Sequence, residues 1–357
     1  QIIPGKIVGQ HGVVVLLAAV ELLLGAGLLL LPQLSVRLFA VVVAVYLTLL
    51  VTVEAVNAIL YGRMRRWGAF FPAMAAAVGG TGLFVLIVFV PALRDAALRY
   101  TAALLLTVFG TGLVCDVLAL TIRSRRVRRV LGSIRVALPD LMSLFLPQRT
   151  ADVLPRAPLG PVPQQGTEEF ELLFQTSAHG IGLVGHCELC FDGRTLTYGA
   201  YDPAHQRLLR TVGAGIVFSV PREPYLRWCI GTHHRRVISY SLRLPPAQAA
   251  QLRAELERFR QTLSPWQPEA LPEDCFAGRL RRLGGVRFWR VQRGPYATYF
   301  IPTINCVSLT NKLLEKTDIG RTVMLGLKTP GAYLDLLERE YLAGNPVVTA
   351  RRVYDRI

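Results

Sequence analysis

"GHCELCFDGRTLTYGAYD", residues 185–202, decides how this chain is read. Apolar and β-favouring residues flank Asp192-Gly193, a dipeptide suited to the positive backbone angles of a tight turn. The stretch therefore reads as a β-hairpin, "ELCF" against "TLTYGAY". With residue 198 paired to 188 and 200 to 186, Tyr198 lies beside His186 on one face.

Working outward, "RVISYSLRL" (236–244) alternates like a half-buried strand. "PPAQAAQLRAELERFRQTL" (245–263) opens on prolines and sets Leu252, Leu256, Phe259 and Leu263 on one helical face. "ATYFIPTI" (297–304) is extended, and "CVSLTNKLLEK" is a helix with Leu309, Leu313 and Leu314 turned inward. "PGAYLDLLEREYL" (330–342) is a last helix opening at Pro330. Strands with segregated helices predict an α+β domain with an antiparallel sheet over 168–345, followed by a tail over 346–357.

Cys306 stands where the extended stretch gives way to a helix. A helix N-terminus favours thiolate over thiol, which makes a nucleophile of a cysteine that elsewhere serves as a small core residue. A thiol nucleophile also needs a base. The candidates are His179, His186, His205, His233 and His234. His186, on a rigid strand, is the first choice and His179 the substitute.

"GHCELCFDGRTLTYGAYD", followed about a hundred residues later by "NCVSLTNKLL", resembles the circularly permuted NlpC-type branch of the papain-like cysteine enzymes. Lnb-type bacterial lipoprotein N-acyltransferases and lecithin retinol acyltransferase-like enzymes belong to that branch. The resemblance covers roughly residues 170–320 by these motif positions. It implies that Cys306 is the acyl-accepting nucleophile and His186 its base, with the backbone N–H of Cys306 helping to bind the oxyanion. Lecithin retinol acyltransferase relatives tend to carry a second histidine near Tyr198, and this chain does not. Tyr198, Asp202 and Asn305 are the residues available to orient the imidazole.

Other chemistries fit less well. Cys187-x-x-Cys190 with Cys229 and His233 would supply four zinc-type ligands, but on a strand positions 187 and 190 face opposite sides. Haem attachment requires histidine where Phe191 stands. "GAGIVFS" (213–219) has glycines without the ending of a phosphate-binding loop. No metal or cofactor is expected.

The first third is different in kind. The chain is 52% hydrophobic and 18% charged with a formal charge of +16, far from an ordinary soluble enzyme and consistent with basic membrane-flanking loops. Apolar runs at roughly 12–31, 38–60, 69–91 and 100–122 are each long enough to span a bilayer, predicting a four-helix transmembrane domain over 1–125. "AVGGTG" (77–82) and "GTG" (110–112) permit close helix packing. Glu21, Glu54 and Asp116 interrupt the runs and are candidates for a role inside the membrane. Neither a cleavable signal peptide nor a disulfide framework is expected; the cysteines read as free thiols of a reducing compartment.

Arginines cluster in "GRMRRW" (62–67) and "RSRRVRR" (123–129). The positive-inside rule then puts the N-terminus, the 61–67 link and everything after 123 in the cytoplasm. Residues 126–148 read as an amphipathic basic helix on anionic head groups, kinked at Pro139. The Pro-rich segment 149–167 reads as a spacer.

The expectation is a multi-pass inner-membrane protein with a cytoplasmic cysteine acyltransferase or hydrolase domain. It would act on a lipid or lipid-linked ester or amide. Lipoprotein N-acylation and cell-wall peptidase activity need the site on the periplasmic side, the alternative topology. The non-enzymatic alternative is an inactive papain-like module serving as scaffold beside membrane partners or a second copy. Nucleic-acid binding through 123–149 is not expected, since the segment lacks interleaved aromatics and the membrane accounts for its charge.

Overall fold

A computed structural model describes residues 32–101, 103, 107, 111, 154, 157, 169–176, 185–267, 275–317, 329–342 and 346–355. The chain forms two units, Gln1–Thr107 and Val108–Ile357.

In the first unit, helix α1 spans Pro32–Arg63 and α2 spans Trp67–Phe89. Both are long and apolar enough to cross a membrane. At 1.5 Å per residue, the 23-residue α2 is about 35 Å long, against about 30 Å of bilayer hydrocarbon. The two pack closely because Gly80 has no side chain; a Cβ there would stand 2.8 Å from Val51 Cγ2. Val43, Leu47 and Ile87 are buried, while Val41, Leu49, Phe71, Val78 and Phe89 lie on the surface, as in a helix pair facing an apolar solvent. Of the four expected spans, 38–60 and 69–91 match these helices. Run 12–31 and most of 100–122 lie outside the described residues, so two of the four expected spans are found among the described residues. After α2 the chain is helical again over 91–101. Its Arg94 donates from Nε to the Ile87 carbonyl (2.7 Å) and from Nη2 to that of Val88 (3.1 Å), satisfying acceptors that the end of α2 leaves open. Asn57 Nδ2 donates to Glu54 Oε2 at 3.3 Å, the described partner of that expected membrane acid. Glu21, Asp116 and the 126–148 segment lie outside the described residues.

The second unit is α+β. Its strands are β1 (Glu169–Thr176), β2 (His186–Phe191), β3 (Arg194–Gly199), β4 (Val212–Ala214), β5 (Ile216–Pro221), β6 (Arg236–Arg243), β7 (Leu263–Pro265), β8 (Arg287–Val291), β9 (Thr298–Phe300) and β10 (Val348–Tyr354). Eight form one antiparallel sheet in the order β10-β6-β1-β2-β3-β5-β8-β7, and β4 pairs with β9. The helices are α3 (Arg222–Gly231), α4 (Pro246–Arg260), α5 (Phe276–Arg281), α6 (Cys306–Leu313) and α7 (Pro330–Leu342).

Alternation along the strands sends side chains into two layers. Phe170, Leu172, Cys187, Leu189, Tyr198 and Ile238 meet α4, α6 and α7. Leu173, Cys190, Phe218, Val220 and Val237 meet α3 and α5. The central strands are buried on both faces, which is why "EFELLFQT" of β1 shows no clean period of two.

Two domain boundaries move. The expected tail contains β10, an edge strand paired to β6 and part of the sheet. The expected spacer is tied down at two points: the Ala157 N–H donates to the Val353 carbonyl at 2.7 Å, and Leu154 packs on the first layer.

Candidate active site

Helix α6 begins at Cys306 because Asn305 and Ser308 form a capping box. The Asn305 side chain accepts the Ser308 N–H at 3.0 Å, and Ser308 Oγ accepts the Asn305 N–H at 2.9 Å. Val307, Leu309 and Leu313 bury the inner face of the helix. Cys306 is thereby pressed against the sheet at 3% exposure. Its Sγ accepts the backbone N–H of Cys187 at 3.4 Å. The Val307 N–H and the Tyr299 side chain bond to it as well.

These donors favour the thiolate, as the helix start predicted. Burial acts the other way and is larger, so the thiol is pushed up to about 11. Burial thus holds Cys306 as a neutral thiol in this closed site, against the pull of the helix start.

His186 opens β2 one residue before the N–H that touches the thiol. Since N of residue 187 lies two bonds from Cα of residue 186, Sγ is within about 6 Å of the His186 Cα. The imidazole lies with Glu188 on the other face of the strand. Its Nε2 is bonded to Thr197 Oγ1 (2.7 Å) and to the Tyr201 hydroxyl (3.2 Å), and stands 4.0 Å from Glu188 Oε1. Nδ1 has no hydrogen-bond partner among the described residues, Cys306 included. Burial, helped by the Arg235 charge, lowers the imidazole to about 3, so it too is neutral.

Behind the histidine lies a buried polar network. Glu188 accepts from Tyr225 Oη (2.6 Å) and Gln175 Nε2 (2.7 Å), and Arg235 donates to Gln175 Oε1 at 2.8 Å. Burial raises the Glu188 carboxyl to about 7 against the lowering effect of these donors. Tyr201 stacks on Phe276 with centroids 5.2 Å apart. It has that room because residue 199 is glycine: a Cβ there would stand 2.7 Å from the Tyr201 ring.

The expected orienting residues lie elsewhere. The hairpin pairs Leu189 with Leu196, Cys190 with Thr195 and Phe191 with Arg194, one step from the expected register. Asp192 and Gly193 both have positive φ (49° and 69°) and form a two-residue loop, where the expected pairing needed three. One step exchanges the faces. Thr197, not Tyr198, therefore shares a face with His186. Tyr198 lies in the thiol's layer, where its hydroxyl donates to the carbonyls of Tyr296 (2.9 Å) and Thr298 (3.2 Å) and steadies the segment leading to Tyr299. Asn305 uses its side-chain oxygen for the cap and donates Nδ2 to the Ile301 carbonyl at 2.7 Å. Asp202 accepts from Ala204 N–H and lies 2.7 Å from His205 Nδ1, with Arg290 also bound to it.

Cys187 and Cys190 face opposite layers, as read from the strand, with Cys229 beside Cys190 in the second. His233 and His234 occupy the loop after α3, with His233 packed on Trp228 at 4.1 Å between ring centroids. His179 lies outside the described residues.

Sequence reasoning missed Thr197, Tyr201, Glu188 and Tyr299. A signal existed for the first and third: a two-residue Asp-Gly turn by itself sets Thr197 opposite Glu188. Nothing local announced Tyr201 or Tyr299, which arrive from the segment after β3 and from β9. Compared with family models, curated proteins and solved structures, the chain matches none.

Proposed function

We propose that the second unit is a cysteine acyltransferase or hydrolase of permuted papain-like type, acting through a thioester on Cys306. The observation that carries this reading is the meeting at the start of β2. A thiol at a capped helix start touches the N–H of residue 187, and residue 186 is a histidine whose Nε2 is held by two hydroxyls, with Nδ1 left over.

In the reaction, the His186 side chain, held on the other face of β2, must first swing toward Cys306; Nδ1 then takes the Sγ proton as sulfur bonds to an ester or amide carbonyl carbon, and the carbonyl electron pair moves onto oxygen. The N–H of Cys306 serves the oxyanion. Collapse expels the alcohol or amine, which takes the proton from the imidazolium and leaves an acyl thioester. An amine, alcohol or water then gives its proton to His186, attacks the thioester and restores the thiol. Both groups start neutral, so His186 acts as a general base rather than half of a standing ion pair. The apolar helices favour a lipid or lipid-linked substrate. The arginine pattern favours a cytoplasmic site in an inner-membrane protein.

Two observations favour a second reading. Thiol and imidazole share no hydrogen bond, and Cys306 is almost wholly buried. On this reading the domain is an inactive scaffold and Cys306 a packed core thiol.

The test is the pH dependence of Cys306 alkylation in the full chain, with His186→Ala and His186→Gln beside it. General-base assistance makes the wild-type rate nearly flat from about pH 5 to 8, because the imidazole is already neutral there. Both variants then fall well below it at pH 7 and climb about tenfold per pH unit toward the thiol pKa. Equal, steep profiles in all three proteins select the scaffold.

A further inference from the structure

Packing among the described residues does not account for the tip at residues 207–212. Arg207 and Val212 close it with paired backbone bonds of 2.8 and 3.3 Å. Inside it, Leu208, Leu209 and Arg210 all take positive φ, at 47°, 55° and 67°. None is glycine, and a Cβ crowds the backbone in that region, so such residues persist only where their surroundings impose them. Thr211 does the imposing: its N–H and Oγ1 both donate to the Leu208 carbonyl, at 3.1 and 2.6 Å.

The result is a clasped turn that holds its apolar side chains outward. Leu208 is 60% exposed and Leu209, at 95%, is the most exposed of the large apolar side chains described. Arg207 and Arg210 flank them, exposed and without an ion pair among the described residues. The base of the turn is anchored: β4 pairs with β9, and the Ile301 N–H donates to the Thr211 carbonyl at 3.0 Å. A firm arm thus presents two leucines between two cations, next to the strand that carries Tyr299.

An apolar tip ringed by guanidinium groups matches an anionic bilayer surface, which offers acyl chains below and phosphates above. Helices α1 and α2 of the same chain are long and apolar enough to cross such a bilayer. We propose that the 207–212 turn docks the domain on an anionic bilayer, with Leu208 and Leu209 in the acyl boundary and Arg207 and Arg210 on lipid phosphates. Docking does not depend on the reactivity of Cys306. Where that reactivity holds, docking brings lipid to the strand beside the thiol.

The test uses the full chain reconstituted in vesicles of phosphatidylcholine, with or without phosphatidylglycerol. A polarity-sensitive fluorophore is placed at Leu209→Cys, or at Gln251→Cys on the exposed face of α4 as control, and unsubstituted protein carried through labelling supplies the background. At 209 the emission shifts to the blue in anionic vesicles and is quenched at least twofold by brominated acyl chains. Arg207→Glu with Arg210→Glu abolishes the effect, while the probe at 251 stays aqueous throughout. A probe at 209 that remains aqueous and unquenched in anionic vesicles overturns the proposal. So does a blue shift that persists in lipid-free detergent and resists bromolipid quenching, because a protein then covers the tip.

Discussion

On one face of β2, Cys187 and Leu189 lie in an apolar layer with Cys306, Val307 and Leu309. On the other, His186 and Glu188 lie among Gln175, Thr197, Tyr201 and Tyr225, and Glu171 is paired with Arg222 one strand away. Both layers exclude water, yet they treat polarity differently. The thiol layer keeps its two thiols, Cys187 and Cys306, neutral and offers Cys306 backbone N–H donors. The histidine layer stores titratable groups and satisfies them through one another. A neutral thiol tolerates an apolar layer, whereas a carboxylate or imidazole needs partners there, so the division follows the cost of burying each group.

The sharpest way to break this contrast is to strand a charge in the histidine layer. Arg222 Nη2 donates to Glu171 Oε1 at 3.0 Å, and Ser239 Oγ and Tyr354 Oη complete the cluster. Glu171→Ala leaves the guanidinium buried without its carboxylate and is expected to cost about 3–5 kcal/mol, read from the urea midpoint. A loss under about 1 kcal/mol would mean that the pair is screened by solvent as surface pairs are.

Titration comes next. His186 folds with its pKa near 3, below the usual 6.5, so the unfolded chain takes up its proton first and stability falls as pH drops below 6.5. Glu188 folds near 7, above the usual 4.5, so the unfolded chain releases its proton first and stability falls as pH rises from 4.5 to 7. Each slope is about 1.4 kcal/mol per pH unit, and the two offset one another between about pH 4.5 and 6.5. Relative to wild type, Glu188→Gln is expected to show stability rising with pH across that window, and His186→Ala falling. Parallel curves for all three proteins would show that the two groups titrate as exposed residues do.

The smallest effects test the contacts themselves. Thr197→Val removes one bond to His186 Nε2 and is expected to cost about 1 kcal/mol, with Thr197→Ser restoring it. If Thr197 orients the imidazole, the valine variant also slows Cys306 alkylation. Tyr299→Phe removes a donor to Sγ and should raise the thiol pKa further by less than about one unit, measured by thiolate absorbance.

Much of the architecture was legible locally. Pro246 opens α4, the Asn305–Ser308 box opens α6, Asp192-Gly193 closes the hairpin, and Leu252, Leu309 and Leu313 face inward as their spacing requires. Strand β1 and the partition of the sheet into two layers were not legible, because strands buried on both faces lose the period of two. The candidate site was half legible. Cys306 and His186 stand at element starts that short-range rules identify, but a one-step register error moved the orienting role from Thr197 to Tyr198.

What the amino-acid order determined by itself is therefore local and covalent in origin: turn chemistry, helix caps, apolar periods, and two helices long enough for a bilayer. What only the tertiary structure decided is which groups meet and in which ionisation state. The bond from Cys187 N–H to Cys306 Sγ spans 119 residues, and that from Tyr225 to Glu188 spans 37. The helix start draws the thiol toward its ionised form, but burial beneath the sheet outweighs it. Desolvation depends on everything packed around a group, and no short window of sequence contains that.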